Sequence, residues 1–360
     1  MLTKEEIIAA LASVAGPDGK TPLPESGALS DIMISDGRVV FSITGDPARS
    51  AALEGMRLAA ERAVKSLEGV STVLVTLTAE RPAQAGPPSA RPSGQPARVR
   101  AGPAQARTPI VGVERVIAVA SGKGGVGKST TAANLALALA GEGLRVGILD
   151  ADIYGPSMPR LFGLKGKPEV TQTRVIRPLE AHGLKIMSMG FLVSEDTAMV
   201  WRGPMVAGAV QQLLREVAWE PLDVLVVDMP PGTGDAQLTL AQSIVLAGVV
   251  IVSTPQDLAL IDARRGVEMF RKVNAPILGI IENMSMFICP NCGARHDIFG
   301  HGGARREAVR IGVPFLGEIP LELALRETSD SGQPIVVSQP SSPITAAYRD
   351  IARRVKEALK

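Results

Sequence analysis

Apolar and polar positions change rhythm several times along this 360-residue chain. From Glu5 to Val14 apolar residues recur at helical spacing, and Ala51–Leu67 repeats the pattern over a longer stretch. Between them, Ile32–Ile34 and Val39–Ile43 are short strand-like runs around an Asp36-Gly37 turn, and Val70–Leu77 alternates as a strand. These elements predict a small α/β unit over residues 1–80. Residues 81–109 follow neither period. Seven prolines, from Pro82 to Pro109, punctuate Ala, Gly, Ser and Gln, with no acidic residue and only Val99 as a large apolar side chain. Such a stretch buries too little surface to offset its ordering entropy, so it predicts a semi-extended linker.

Residues 110–360 alternate the two periods. Val116–Ala120, Val146–Leu149, Lys185–Met189, Val224–Val227, Val249–Val252, Ile277–Ile281 and Phe315–Leu316 are short apolar runs of the kind that form buried parallel strands. Helical stretches such as Thr131–Ala140, Met205–Val217 and Leu258–Val273 separate them. The prediction is an α/β fold with a doubly wound, mostly parallel sheet, in which ligands sit outside the carboxyl ends of the strands. Ile344, Tyr348, Ile351, Val355 and Leu359 share one face of a C-terminal helix. Packing against the domain is the expected use of that face, although a membrane-surface helix would look similar.

Composition removes some function classes. A net charge of +2 offers no global field for nucleic acid. No apolar run reaches the roughly 18 residues of a membrane span, and Met1–Lys20 lacks a secretory apolar core. The two cysteines both lie in one Cys-x-x-Cys, which is no disulfide framework, so a cytoplasmic location is expected. No nucleic-acid or membrane partner is expected.

The chemistry concentrates at strand ends. Gly122, Lys123, Gly124, Gly125, Val126, Gly127, Lys128, Ser129 and Thr130 follow the run Val116–Ala120 and open a helical stretch. They fit the phosphate-binding pattern G-x-x-x-x-G-K-[ST], in which backbone N–H groups crowd phosphate oxygens. Lys128 is placed to reach the β- and γ-phosphates of a nucleoside triphosphate, and Ser129 to hold Mg²⁺. Asp150 and Asp152 follow the strand Val146–Leu149, where a carboxylate could order Mg²⁺ or an attacking water, or simply cap a turn. Asp228 ends the strand Val224–Val227 and precedes Pro230-Pro231-Gly232-Thr233-Gly234, a loop able to respond to a γ-phosphate. Asn283, just after Ile277–Ile281, suits an adenine edge or a turn.

Cys289-Pro-Asn-Cys292 has the spacing of a metal knuckle. Two thiolates do not complete a four-coordinate site. His296 and His301 are candidate extra ligands, or a two-fold dimer supplies a second pair. A redox dithiol, a local disulfide and structural thiols are the competing readings.

Taken in order, these motifs carry a resemblance. The loop with its extra Lys123 resembles the deviant Walker A of ATPases such as MinD, ParA and the nitrogenase iron protein. With Asp150-x-Asp152-x-x-Gly-Pro-Ser-x-Pro, Trp201-Arg-Gly-Pro, Asp228-x-Pro-Pro-Gly-Thr-Gly-Asp and Cys289-Pro-x-Cys292, the chain is similar to the Mrp/ApbC family of iron–sulfur cluster carriers across roughly residues 110–345. The resemblance implies a homodimer in which Lys123 reaches the partner's nucleotide, Asp152 orients the hydrolytic water and Asp228 supports Mg²⁺. It further implies that Cys289 and Cys292 of two subunits bridge one [4Fe–4S] cluster, and that ATP binding or hydrolysis couples to its transfer to apo iron–sulfur proteins, with cluster-assembly factors as further partners. Residues 1–80 are similar to the small domain that precedes many such carriers. Where that domain often carries a reactive cysteine, this chain reads Ile43-Thr44-Gly45-Asp46-Pro47, which leaves a docking role. The same phosphate loop also suits a MinD- or ParA-type positioning ATPase, and the same thiols suit a zinc-stapled dimeric ATPase.

Overall fold

A computed structural model of the chain describes residues 2–30, 32–35, 37–45, 50–70, 72–79, 109–172, 175–192 and 203–360. The expected linker, apart from residue 109, lies outside these residues, as do Asp36 of the first turn and the Trp201-Arg202 pair. The described residues divide into two compact units.

The first unit begins with α1 (Lys4–Leu11). Thr3 starts it by a reciprocal cap: its hydroxyl accepts from the Glu6 N–H, and the Glu6 carboxylate accepts from the Thr3 N–H. Strands β1 (Met33–Ser35) and β2 (Arg38–Gly45) pair antiparallel, and β3 (Thr72–Ala79) joins β2 in parallel after α2 (Ser50–Lys65). Ile7, Leu11, Leu23, Phe41, Ile43 and Val64 fill the core between helices and sheet.

The second unit carries β4 (Val113–Ala120), α3 (Lys128–Gly141), β5 (Val146–Asp150), α4 (Met158–Leu161), β6 (Leu179–Ala181), β7 (Leu184–Ser188), the part of α5 (Gly203–Glu216) from Val210 onward, and β8 (Leu222–Asp228). It continues through α6 (Asp235–Ser243), β9 (Gly248–Ser253), α7 (Asp257–Lys272), β10 (Ile277–Ile288), β11 (Arg295–His296), α8 (Gly303–Ile311) and β12 (Phe315–Leu321). Helices α9 (Leu323–Asp330), α10 (Ile335–Ser338) and α11 (Pro343–Ala358) complete it.

Among the described residues, β12, β10, β9, β4, β8, β5 and β7 lie side by side in parallel. β6 runs antiparallel on β7, and β11 folds back on the last two residues of β10. The chain leaves β4 for β5 on one side and returns to β9 on the other, so the strand order reverses at β4 and opens a crevice at its carboxyl end. This is the doubly wound, mostly parallel sheet that the alternating periods predict. The central strands are buried on both faces, which is why they read as continuous apolar runs.

Two elements differ from the sequence expectation. The strand starting at Ile277 does not stop at Ile281 but runs to Ile288, because β12 and β11 supply partners as far as Phe287 and Ile288. Asn283 is therefore a strand residue and not a turn former. The extension is irregular: Met284 adopts a left-handed φ of 55°, and the pairing with β12 slips between Asn283 and Phe287. In α11, Ile344, Tyr348, Ile351 and Val355 are buried, so its apolar face is consumed by packing.

Candidate functional site

The phosphate-loop glycines form the turn between β4 and α3. Gly127 caps α3 with φ 78°, and a Cβ there would lie 2.2 Å from Asn283 Nδ2, so both the conformation and the close approach require glycine. Asn283 holds the loop from the other side, its Nδ2 donating to the Val126 carbonyl at 2.8 Å. Ser121 donates to the Lys123 carbonyl at 2.8 Å, and the Gly232 N–H donates to the Ser121 carbonyl. The loop is thus clamped by the segments that follow β8 and run within β10.

A cleft of about 670 Å³ opens beside it. Lys123, Gly124, Gly125, Gly127, Lys128, Ser129, Thr130, Asp152 and Asn283 all line this space. Gly122, Val126 and Asp228 do not; Val126 faces the core, and Asp228 sits behind Lys128 with no exposure. Lys128 Nζ lies 2.5 Å from Asp228 Oδ1 and 3.2 Å from Ser129 Oγ. The second oxygen of Asp228 is buried with no hydrogen-bond partner among the described residues. Burial pushes the Asp228 carboxyl up, against the opposing pull of Lys128. An orphaned buried carboxylate oxygen close to a serine hydroxyl is a donor set that fits a hard divalent cation such as Mg²⁺.

Asp150 pairs in register with Asp228 across β5 and β8, yet its oxygens are already committed. They accept the N–H groups of Asp152, Ser157 and Met158 and the hydroxyl of Ser188. Burial, reinforced by the Asp228 charge, pushes the Asp150 carboxyl up to about 7. Asp150 therefore shapes the loop that presents Asp152, and Asp152 accepts the N–H groups of Tyr154 and Gly155 while lining the cleft. Sequence reading paired the two aspartates as alternatives; the structure separates their positions. It also missed the far wall, where Pro320 and Leu321 at the end of β12 and the following Glu322 join Leu325, Arg326 and Asp330 of α9 and Arg160 of α4. Nothing in their local pattern marks them, because only the fold brings β12, α9 and α4 to the cleft.

Cys289 and Cys292 lie outside this cleft, on the hairpin between β10 and β11. The Cys289 N–H donates to the Ala294 carbonyl and the Gly293 N–H to the Cys289 carbonyl, with Gly293 at φ 71°. N–H groups of Asn291 and Cys292 directed at the Cys289 sulfur lower its thiol, which favours the metal-binding thiolate. Cys289 is half-buried and Cys292 exposed. Among the described residues no His, Asp or Glu joins the two thiols to make a set of three. His296 is an exposed residue of β11, and His301 instead sits by Ser285, Glu282 and Glu318.

Residues 112–356 match the family described as NUBPL iron-transfer P-loop NTPase. The chain belongs to this family. Residues 4–75 separately match the iron-sulfur cluster assembly protein family. The "Iron-sulfur cluster carrier protein" of Pseudomonas fragi is 58% identical over 252 residues, covering 69% of this chain and 88% of its own length. The protein of the same description from Synechocystis is 45% identical over 360 residues, 99% of this chain and 97% of its own, so the likeness extends through the first unit. Among solved structures, the nucleotide-binding protein of Archaeoglobus fulgidus in complex with ADP is 42% identical with a TM-score of 0.58, covering 66% of this chain and 92% of that one. The NUBPL-family P-loop unit is thus a nucleotide-binding fold, and its phosphate loop is the part of this chain that the crevice at β4 displays.

Proposed function

We propose that this chain is an ATP-binding and ATP-hydrolysing iron–sulfur cluster carrier. It acts as a homodimer that takes one [4Fe–4S] cluster on Cys289 and Cys292 of both subunits and passes it to apo-proteins. One observation carries the reading: β10 holds Asn283 against the phosphate loop and leads directly into Cys289. A change at the loop therefore has a continuous strand through which to reach the thiols. The two thiols lack a third ligand among the described residues, as a site shared between two chains would.

The roles follow from position. Lys123, Gly124, Gly125, Gly127, Lys128, Ser129 and Thr130 line the cleft and bind the ATP phosphates, with Gly122 and Val126 completing the same loop behind them. Lys128 rests on Asp228; with Lys128 turned to the phosphates, Asp228 and Ser129 would hold Mg²⁺. The ion held there would neutralise charge on the phosphates. Asp152, held at the cleft by its own Asx turn, orients the hydrolytic water. The orphaned Asn283 Oδ1 is an acceptor suited to the adenine amino group. The Lys123 ammonium has no hydrogen-bond or ion-pair partner among the described residues and is free to cross to a second subunit's nucleotide. A positioning ATPase anchored by α11 would need an apolar face that here is buried.

Anaerobic reconstitution with iron and sulfide tests the proposal. The expected result is charge-transfer absorption with about four iron per dimer, lost in Cys289→Ser and in Cys292→Ser. Stoichiometric zinc with no transferable cluster would refute it in favour of a zinc-stapled dimer.

A further inference from the structure

A second constellation of metal-ligating side chains lies on β10, β12 and the loop before α8. Ser285 Oγ is 2.7 Å from Glu282 Oε1, 2.9 Å from His301 Nδ1 and 3.4 Å from Glu318 Oε2. A hydroxyl has one proton to donate, and the shortest contact assigns it to Glu282. His301 Nδ1 must then carry a proton and donate it to Ser285 Oγ, which fixes the tautomer. In the neutral ring the other nitrogen, Nε2, is then a lone pair, and it faces the Glu318 carboxylate at 3.9 Å. Two acceptors then face each other at a distance too long for a hydrogen bond.

That arrangement has the form of a metal ligand with its supporting shell. A ligating histidine characteristically donates its second ring N–H to a group backed by a carboxylate, which sets ring orientation and raises basicity. Here Ser285 passes the contact to Glu282, which is fully buried. Glu282 is itself pinned by the N–H groups of Gly302 and Ala304 at the start of α8, at 2.9 and 2.6 Å. Capping of α8 accounts for Glu282 and Ser285, but not for Nε2 and Glu318 turned toward one another. Of the neighbouring guanidiniums, Arg306 donates to the His301 carbonyl and Arg305 stacks over the Phe315 ring. A first-row ion with bonds of about 2.0–2.2 Å needs N···O of about 3.4 Å in tetrahedral geometry, so closure by half an ångström suffices. Both ligand side chains are roughly a third exposed, at 31% and 29%, which leaves room for that closure, for ion entry and for completing waters.

We propose that His301 and Glu318, oriented through Ser285 and Glu282, form a labile binding site for a divalent first-row metal ion. Ferrous iron is the member that the proposed cargo singles out, and in that respect alone the inference rests on the proposed function. Two protein ligands and water make an exchangeable site rather than a structural one. Ser285 precedes Cys289 by four residues of mostly extended chain, about 13 Å at the rise of a strand. The site therefore stands beside the thiol hairpin and on the strand that touches the nucleotide loop.

The test is titration of the full-length Cys289→Ser/Cys292→Ser variant with Co²⁺, and anaerobically with Fe²⁺, so that thiolates do not compete. One ion of each kind should bind per chain, with paramagnetic perturbation of the His301 imidazole resonances and not those of His182 or His296. His301→Gln and Glu318→Gln should each abolish binding. Ser285→Ala, which keeps both ligands, should weaken it by about 10–100-fold. Failure of Fe²⁺ to bind, or binding that survives both ligand substitutions, would overturn the proposal. Because the thiols are absent from this protein, neither result depends on whether a cluster forms at Cys289 and Cys292.

Discussion

Replacing Lys128 by alanine exposes how the nucleotide site is held before ATP arrives. The ammonium lies 2.5 Å from Asp228, with the two side chains 6% and 0% exposed. Truncation strands a buried carboxylate next to Asp150 without its counter-ion, and removing one partner of a buried pair costs about 3–5 kcal/mol. That cost must depend on pH. Burial already raises Asp228, and Lys128 is the strongest influence opposing the rise. Without it the folded-state pKa climbs further above the unfolded value of about 3.9. A group whose folded pKa is raised binds its proton more tightly in the native state. The stability it lends is complete below about pH 4 and is lost as pH rises toward the folded value, by up to about 1.4 kcal/mol per unit. The variant should therefore approach wild-type stability near pH 4–5 and fall furthest behind at pH 8. Urea denaturation of the nucleotide-free protein at pH 5 and pH 8, followed by tryptophan fluorescence to which the buried Trp219 contributes, measures the difference. A deficit below about 1 kcal/mol at both pH values is what a solvent-exposed pair would give, and it would refute the buried ion pair. ATP binding by calorimetry should be lost at every pH.

Four further outcomes follow from the same geometry. Gly127→Ala places a Cβ 2.2 Å from Asn283 Nδ2 at φ 78°, so ATP affinity should fall more than tenfold and stability by about 1–2 kcal/mol; wild-type affinity by calorimetry would contradict the tight contact. Lys123→Ala should leave ATP affinity nearly unchanged but cut steady-state hydrolysis by roughly tenfold or more, and full turnover would count against a role across a dimer. Asp152→Asn should likewise slow hydrolysis by roughly 10²-fold while sparing affinity. Asp150→Asn replaces an acceptor of four hydrogen bonds with a group that has one oxygen, so near pH 5 the protein should lose about 1–3 kcal/mol. Because Asp150 is raised to about 7, wild type loses stability from about pH 4 to 7; the variant should lack that component, and parallel pH profiles would show that Asp150 is ionised throughout.

Local chemistry and periodicity sufficed for much of the architecture. Runs such as Val249–Val252 are legible because a strand buried on both faces must be apolar throughout, and the glycine-lysine pattern of 122–130 is legible because a phosphate cradle leaves few alternatives for its backbone. The two family matches, over residues 4–75 and 112–356, lie on either side of the proline-rich stretch. What the sequence could not determine are the relations between residues far apart in the chain. That Lys128 rests on Asp228, 100 positions away, follows from β4 and β8 lying side by side. That Asn283 grips Val126, 157 positions away, depends on the extension of β10 past Ile281, which exists only because β11 and β12 offer it partners. The division of labour between Asp150 and Asp152 depends on which carboxylate the folded loop surrounds with donors, and the facing of His301 and Glu318 depends on the register of β10 against β12. Propensity and motif spacing act within a few residues, whereas these pairings are set by sheet order and burial, so only the tertiary structure could decide them.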